Sequence, residues 1–224
     1  LSMSYPAHLT SNSGVYLKYR PCYTQEIVKY VLEKGNKKTD CLVDVGCGGG
    51  QCAIKFAPFF KRVFAFDPSV EQLNFAKLDN SFEHVTFAQG VGEHIDVDDL
   101  TADVITVGEA VHWIDRSKFY KEVERVLKSE GLLVIMGYWT QLIDNKLYDA
   151  ACEVGGEIEK GYRAHRTRYR DIFEAMPFND KHRIDSFTSK HLWTLEDAMG
   201  FLKSMDVYEH LKKSSDNEVI YVQE

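Results

Sequence analysis

This 224-residue chain has only five prolines, five cysteines and no long apolar run, and its basic residues are fewer than its acidic ones. Its five cysteines, at positions 22, 41, 47, 52 and 152, contain no Cys-x-x-Cys pair, which indicates neither a disulfide framework nor a zinc site and favours a reducing compartment. No apolar run approaches the roughly 18 residues that a membrane span needs. The polar start at 1–13 also lacks the order of a signal peptide. We therefore expect a soluble, cytoplasmic protein with no metal.

Acidic residues outnumber basic ones, 34 to 27, which gives a formal net charge of −7 at pH 7. Such a balance argues against a broad surface that neutralises phosphates, so neither nucleic acid nor a membrane is an expected partner. An apolar content of 44% excludes disorder as the main state. The expected partner is a small molecule, and the chain is expected to be a monomer or a homodimer.

Strand and helix patterns alternate along the first 138 residues. Short apolar or β-branched runs predict strands at 41–45, 62–66, 84–88, 103–107 and 132–136. Helical spacing and capping residues predict helices at 24–32 and 51–60, after Ser69, and from Asp115 with Gly131 following its end. Strands this apolar need cover on both faces. We therefore expect an α/β fold, with a doubly wound, mostly parallel, Rossmann-like sheet and helices on both faces.

The alternation breaks after Tyr138, where residues 139–190 are predicted to form a helical cap insertion. A strand over 184–193, a helix starting at Thr194 and a short run at 219–222 would complete a seven-stranded sheet. With no linker or internal repeat, residues 1–224 are predicted to form a single domain. Its parts are an N-terminal helical segment at 1–35, a core at 36–138, the cap at 139–190 and a C-terminal helix with the sheet edge at 191–224.

The most informative motif is a glycine-rich turn after the first strand, Asp44-x-Gly46-x-Gly48-x-Gly50. A dinucleotide site would place its third glycine at position 51, which is glutamine, and a phosphate loop would have a lysine after Gly50. A second acid, Asp67, ends the second strand 17 residues past Gly50. Together the motif and the acid suit a nucleoside that carries a cationic tail and no phosphate.

These residues resemble the class I S-adenosylmethionine-dependent methyltransferases. The resemblance implies S-adenosyl-L-methionine as cofactor, with S-adenosyl-L-homocysteine as product. It implies that Asp67, followed by Pro68, accepts hydrogen bonds from both ribose hydroxyls. It also implies a loop around the methionine and ribose parts of the cofactor, formed by Asp44, Gly46, Cys47, Gly48 and Gly50.

Three further segments carry the resemblance. Residues 89–93 are similar to the family's adenine segment, so Gln89, Gly90, Val91 and Gly92 are candidate cofactor contacts. Residues 107–115, with Glu109 and the His112-Trp113 pair, resemble the small-molecule branch that includes trans-aconitate and ubiquinone-pathway methyltransferases. In that branch the segment around Tyr19 and Arg20 folds over the cofactor, which implies that both close its methionine end, with Arg20 facing the carboxylate. Glu109 either bonds backbone amides near the methionine tail or is a solvated acid.

No acid–base pair stands out, and methyl transfer from a sulfonium needs positioning more than a base. His112 is the candidate catalytic residue if the acceptor must lose a proton, because histidine changes charge near neutral pH; the alternative is a structural histidine. Candidate substrate residues are His112, Trp113, Arg163, Arg166 and Arg168. The arginines either match a carboxylate-bearing acceptor or form a solvated helical face.

We therefore expect an enzyme that transfers methyl from S-adenosylmethionine to a small molecule, on a carboxylate or hydroxyl oxygen. An N-methyltransferase acting on a small amine, a protein or RNA is the alternative. The other classes considered are a non-catalytic cofactor-binding or interaction module and an NAD-dependent oxidoreductase, which the glutamine at position 51 disfavours.

Overall fold

A parallel sheet of five strands forms the centre of the computed structural model, which describes residues 18–138 and 167–204. The strands are β1 (Cys41–Val45), β2 (Arg62–Asp67), β3 (Val85–Gln89), β4 (Ala102–Gly108) and β5 (Leu127–Met136). Their order is β3-β2-β1-β4-β5, and every neighbouring pair is parallel. The order reverses beside β1, so β1 and β4 flank the place where doubly wound sheets bind ligands.

Helices lie before, between and after the strands, and those that follow Thr24, Ser69, Asp115 and Thr194 begin where these capping residues predict. They are α1 (Gln25–Lys34), α2 (Gln51–Phe56), α3 (Val70–Asp79), α4 (Arg116–Val126), α5 (167–174) and α6 (Leu195–Lys203), with 3₁₀ turns at Ala57–Phe59 and Val111–Trp113. Ser69 Oγ accepts a hydrogen bond from Gln72 N at 3.2 Å, and Asp115 Oδ1 accepts one from Ser117 N at 3.1 Å. These bonds satisfy amides that the first turn leaves without a helical partner.

Apolar side chains cover both faces of the sheet. All five residues of β1 are buried, and its alternate side chains belong to two separate clusters. Leu42 packs with Phe56 on one face, whereas Val43 packs with Phe119 on the other. This double burial explains why the central strands are apolar throughout and confirms the Rossmann-like fold.

Two predictions in the second half of the chain are wrong. Gly131 does not follow the end of helix α4. The helix ends at Val126, because β5 begins at Leu127, the register partner of Ala102 in β4. Gly131 therefore lies inside β5, directly after Glu130, whose φ is 62°. Residues 184–193 form no strand. Phe187 there packs edge-on against Tyr30 of α1, with ring centroids 5.5 Å apart, so this stretch packs against a helix.

The helix after Thr194 is confirmed as α6, and Thr194 Oγ1 accepts a hydrogen bond from Asp197 N at 3.2 Å. The run at 219–222 and most of the cap, 139–166, lie outside the described residues. The seven-strand count, the cap insertion and the division into four parts therefore stay predictions.

None of the helices within residues 18–138 and 167–204 combines the length and the apolar character of a membrane-spanning segment. The same residues hold no group of three His, Cys, Asp or Glu side chains placed to bind a metal. The four described cysteines, Cys22, Cys41, Cys47 and Cys52, are free thiols.

Candidate functional site

A cleft opens at the carboxyl ends of β1 and β4. Most of its lining comes from three regions: the segment before α1, the glycine-rich turn with the start of α2, and the end of β4. The lining residues are Arg20, Pro21, Tyr23, Asp44, Gly46, Cys47, Gly48, Gln51, Cys52, Gly108, Glu109 and Tyr138. The cleft therefore lies where the strand order reverses, as the glycine motif predicts.

The glycine-rich turn is bonded to β2. The amides of Gly46 and Cys47 both donate to Phe66 O, at 2.8 and 3.0 Å. Gly46 has a φ of 68°, and a side chain there would overlap the Cβ of Ala110. Gly48 has a φ of 52°, but among the described residues the atom nearest to a Cβ there would be Gln72 Oε1, 3.9 Å away. Gly46 is thus needed for packing, whereas Gly48 leaves open space beside the backbone that a ligand can use.

The other loop residues are buried in this turn. Cys47 is 6% exposed, and burial raises the pKa of its thiol well above the ordinary value, so it stays protonated. A Cβ on Gly50 would stand 2.9 Å from the Phe87 ring, which packs the end of the turn against β3. Neither residue offers a nucleophile.

Asp44 is a fully buried carboxyl group at the base of the cleft. Its oxygens accept hydrogen bonds from Thr106 Oγ1 at 2.7 Å and from Ala53 N at 3.1 Å. Burial raises its pKa to about 6, and these hydrogen bonds oppose that rise. Asp44 therefore joins β1 to β4 and α2 while remaining mostly ionised at neutral pH.

Asp67 ends β2 beside the glycine turn and is 2% exposed. Its Oδ2 accepts a hydrogen bond from Gly48 N at 2.9 Å, and its Oδ1 accepts one from Ser69 N at 2.8 Å. Burial raises its pKa, and the two amides oppose that change. Each carboxylate oxygen has two acceptor positions, so these amides leave acceptor capacity for ligand hydroxyls. Asp67 thus bonds the loop and keeps acceptor capacity, while its contact with a ribose stays a prediction.

The segment after β3 lies next to Asp67. Gln89 is its register partner, Gly90 N donates to Asp67 O at 3.2 Å, and Gln89 Nε2 donates to Pro68 O at 3.1 Å. Val91 is 44% exposed, while Gly92 is buried and a Cβ there would stand 2.9 Å from Ile114. The predicted adenine segment and the predicted ribose acid therefore occupy one continuous edge.

Glu109 follows β4 in a left-handed backbone conformation, with a φ of 54°. Its amide donates to Met136 O at 2.9 Å, and its carboxylate accepts a hydrogen bond from Tyr138 N. Of the two alternatives, the structure agrees with bonding to a backbone amide. A non-glycine residue in this conformation is strained, and such strain concentrates at functional sites.

Arg20 crosses the cleft, whereas Tyr19 does not reach it. Arg20 donates from Nη1 to Tyr138 Oη at 3.2 Å and from Nη2 to Ser204 O at 2.8 Å. Tyr19 Oη donates to Glu196 Oε1 at 3.0 Å, and its ring packs so closely on Gly200 that a side chain there would overlap it. Of this predicted pair, only Arg20 lines the cleft.

His112 and Trp113 lie on the 3₁₀ turn beyond β4, with ring centroids 4.9 Å apart. His112 Nδ1 is 3.4 Å from Tyr169 Oη of α5. Arg168, on the same helix, is exposed, and Arg163 and Arg166 lie outside the described residues.

Three tyrosines that the sequence interpretation gave no role lie at or near the cleft: Tyr23, Tyr138 and Tyr169. Tyr23 packs on Gly108 so closely that a side chain at 108 would overlap its hydroxyl, and Tyr169 packs on Gly137 in the same manner. Glycines at the ends of β4 and β5 were the available signal, because a glycine there leaves room for a ring.

The family model and the sequence relatives reported next are methyltransferases by name. Residues 43–135 match the family model described as "Methyltransferase domain". A Dictyostelium discoideum protein described as a methyltransferase is 35% identical over 136 residues, which are 60% of this chain and 50% of that protein. The Campylobacter jejuni ubiquinone/menaquinone biosynthesis C-methyltransferase UbiE is 24% identical over 199 residues, which are 82% of this chain and 77% of that protein.

Among solved structures, a protein from Anaeromyxobacter dehalogenans described as a type II methyltransferase superposes with a TM-score of 0.64 at 21% identity. The match covers 88% of this chain and 84% of that one, and it supports the fold. This chain spans half of the length of the Dictyostelium relative.

Proposed function

We propose that this chain, a class I S-adenosylmethionine-dependent methyltransferase by the fold and sequence of its core, transfers a methyl group to an oxygen atom of a small molecule. The acceptor oxygen belongs to a carboxylate or a hydroxyl group. The observation that supports cofactor binding best is the bond between Gly48 N and Asp67, which joins an open backbone turn to a buried acid at the reversal of strand order.

The residues present fit S-adenosylmethionine. Gly48 leaves the space that a side chain would fill, and Asp67 has acceptor capacity for the two ribose hydroxyls. Val91 offers an exposed apolar surface beside Gln89 for adenine. The other candidate contacts stand as the sequence assigns them, namely Asp44, Gly46, Cys47, Gly50, Pro68, Gly90 and Gly92.

At the methionine end, Arg20 is the candidate partner of the carboxylate, and the acids Asp44 and Glu109 lie in the same cleft. Two carboxyl groups favour a cationic ligand over an anionic one. The bound cofactor supplies an electrophilic methyl group on a positively charged sulfur. The chain's own residues bind and orient the reactants and exclude water around them.

On the acceptor side, His112 and Trp113 are the candidate contacts. His112 would take a proton from a hydroxyl acceptor, whereas an ionised carboxylate has no proton to lose. A carbon acceptor is the second candidate function, because the Campylobacter relative that spans 82% of this chain is named a C-methyltransferase. The oligomeric state, the absence of nucleic-acid partners and the cytoplasmic location stay predictions.

Calorimetry with S-adenosylhomocysteine tests the proposal through Asp67→Ala. A charge-assisted hydrogen bond contributes about 1.5–3 kcal/mol, so we expect the affinity to fall by roughly tenfold to 150-fold. Asp115→Ala is the matched control, since it removes an aspartate that caps a helix N-terminus away from the cleft residues. If folded Asp67→Ala protein binds as tightly as the control, Asp67 does not bind the ribose.

A further inference from the structure

The side chain of helix α5 that approaches His112 is a tyrosine, Tyr169, and not one of the arginines of that helix. Ile172 of this helix is 3% exposed and packs in the same cluster as Phe119, and Tyr169 packs against that cluster one turn earlier. Arg168 and Asp171 are exposed. Among the described residues of α5, the polar group that reaches His112 is therefore the Tyr169 hydroxyl.

Gly137 leaves the space that the Tyr169 ring occupies. A Cβ at 137 would stand 2.7 Å from a carbon of the Tyr169 ring, closer than real side chains approach. Gly137 does not have a left-handed backbone, because the glycines with positive φ are Gly46, Gly48 and Gly50. The glycine is thus needed for the position of the ring and not for the course of the chain.

Two aromatic rings hold the imidazole of His112. The Tyr169 ring meets it edge-on, with centroids 5.9 Å apart and an interplanar angle of 63°, and the Trp113 ring lies 4.9 Å away. The 3.4 Å between Nδ1 and Tyr169 Oη is long for a hydrogen bond, and such catalytic contacts often shorten when reactants bind. The hydroxyl is placed so that a hydrogen bond with Nδ1 can determine which imidazole nitrogen carries the proton.

We infer that Tyr169 is a positioning residue that holds His112 as the tautomer protonated on Nδ1, and that the methyl acceptor is a hydroxyl group. This inference rests on the proposed function. A phenol can donate to Nδ1 or accept from it, and only acceptance leaves Nε2 as the basic nitrogen that a hydroxyl acceptor needs, so in this tautomer Tyr169 Oη accepts the Nδ1 proton. As the acceptor oxygen bonds to the methyl carbon, its proton passes to Nε2. The carbon–sulfur bond breaks, and its electron pair stays on sulfur, which leaves the neutral thioether. A carboxylate acceptor, ionised at neutral pH, would need no such arrangement.

Nitrogen-15 NMR of the neutral imidazoles, on cofactor-free protein in mildly alkaline buffer, tests the tautomer directly. The His112 signal is assigned from the spectrum of His112→Gln. We expect Nδ1–H to predominate in the wild type and the proton to move to Nε2 in Tyr169→Phe, which keeps the ring and removes the hydroxyl. A wild-type His112 protonated mainly on Nε2 would overturn the inference.

Gly137→Ala is the second variant, because it displaces the Tyr169 ring and leaves the hydroxyl in the sequence. It should change the His112 tautomer as Tyr169→Phe does. Tyr120→Phe is the matched control: Tyr120 is buried, packs against Phe178, and its hydroxyl has no hydrogen-bond partner within the described part of the chain. His84, whose Nε2 lies 3.0 Å from Ala57 O, is an internal reference that no variant should change.

The acceptor class is tested with tritiated S-adenosylmethionine and a metabolite extract. A methyl ether withstands mild alkali and yields methyl iodide with hydriodic acid, whereas a methyl ester releases methanol in alkali. We expect ether label, reduced roughly fivefold to tenfold by Tyr169→Phe and unchanged by Tyr120→Phe. Label in esters or on carbon would overturn the hydroxyl assignment. Because the tautomer is measured without cofactor, its outcome is independent of whether Asp67 binds ribose.

Discussion

The two sides of the cleft are built from contacts of very different sequence separation. On the side of β1 and β2, Gly48 bonds Asp67 across 19 positions and Ala53 bonds Asp44 across nine. On the side of β4 and β5, Arg20 bonds Tyr138 across 118 positions and Ser204 O across 184. His112 meets Tyr169 across 57. The first side is formed by one strand-turn-helix unit and its neighbouring strand, whereas the second requires five distant segments, around residues 20, 112, 138, 169 and 204.

The two sides also differ in the chemical groups that form them. The first side works through amides and two buried acids, so its geometry follows from φ angles and strand register. The second side works through a guanidinium, an imidazole and phenols whose positions depend on tertiary packing. We therefore expect substitutions on the first side to act on folding and cofactor affinity. On the second side, substitutions at His112 and Tyr169 should act on the acceptor, whereas those at Arg20 should act on cofactor affinity.

The largest expected effect is the loss of stability in Gly46→Ala. A left-handed backbone costs an alanine about 1–2 kcal/mol, and overlap with Ala110 adds about 1–3 kcal/mol. Gly48→Ala is the matched control, since it shares the left-handed backbone and has open space for its methyl group, and it should lose only about 1–2 kcal/mol. Urea denaturation measures both. Equal losses would mean that Ala110 moves aside, and the packing role of Gly46 would be wrong.

A smaller effect concerns Asp44 and pH. Its folded pKa of about 6 exceeds the value of about 3.9 for an unfolded chain, so the folded state binds this proton more tightly. The contribution of Asp44 to the free energy of unfolding therefore decreases as pH rises from about 4 to about 6, by about 3 kcal/mol in total.

Asp44→Asn removes this titrating group. The difference in free energy of unfolding between wild type and variant should then change over that pH range and stay constant above it, as measured by urea denaturation at a series of pH values. A difference that is flat from pH 4 to 7 would show that Asp44 titrates normally, and the account of its burial would fail.

The smallest expected effect belongs to Arg168→Ala. Because Arg168 is exposed, the free energy of unfolding should change by no more than about 0.5 kcal/mol, and the Michaelis constant for every acceptor should stay the same. Arg170→Ala, another exposed position on α5, is the control. An increase in the Michaelis constant for anionic acceptors alone would restore the substrate role that the sequence suggests for Arg168.

The core of the fold was predictable because its signals are local. The predicted strand at 103–107 is β4 at Ala102–Gly108, and the Ser69 cap starts α3 as expected. These features depend on apolar runs and on hydrogen bonds within three or four residues. The start of β5 at Leu127 was not predictable, because it depends on pairing with Ala102 and on the turn at Glu130.

The candidate site divides in the same way. Asp44, Asp67 and the glycines are close to one another because a parallel register aligns the ends of neighbouring strands. Tyr19 and Arg20 are neighbours in the sequence, yet only Arg20 lines the cleft, because the Tyr19 ring packs against Gly200 of α6. Tyr169 had no signal in its own segment of the sequence, since its position depends on packing against Gly137 and His112, which lie elsewhere in the chain.

The bond from Arg20 to the Ser204 carbonyl also sets an order of events during synthesis. Domains fold from the amino end as the ribosome extends the chain, and all five strands are complete once Met136 has emerged. Arg20 is translated early, but its contact with Ser204 can form only after Ser204 has been translated. The nascent polypeptide can thus assemble these strands while Arg20 still lacks its Ser204 contact, so this contact at the cleft forms after the sheet.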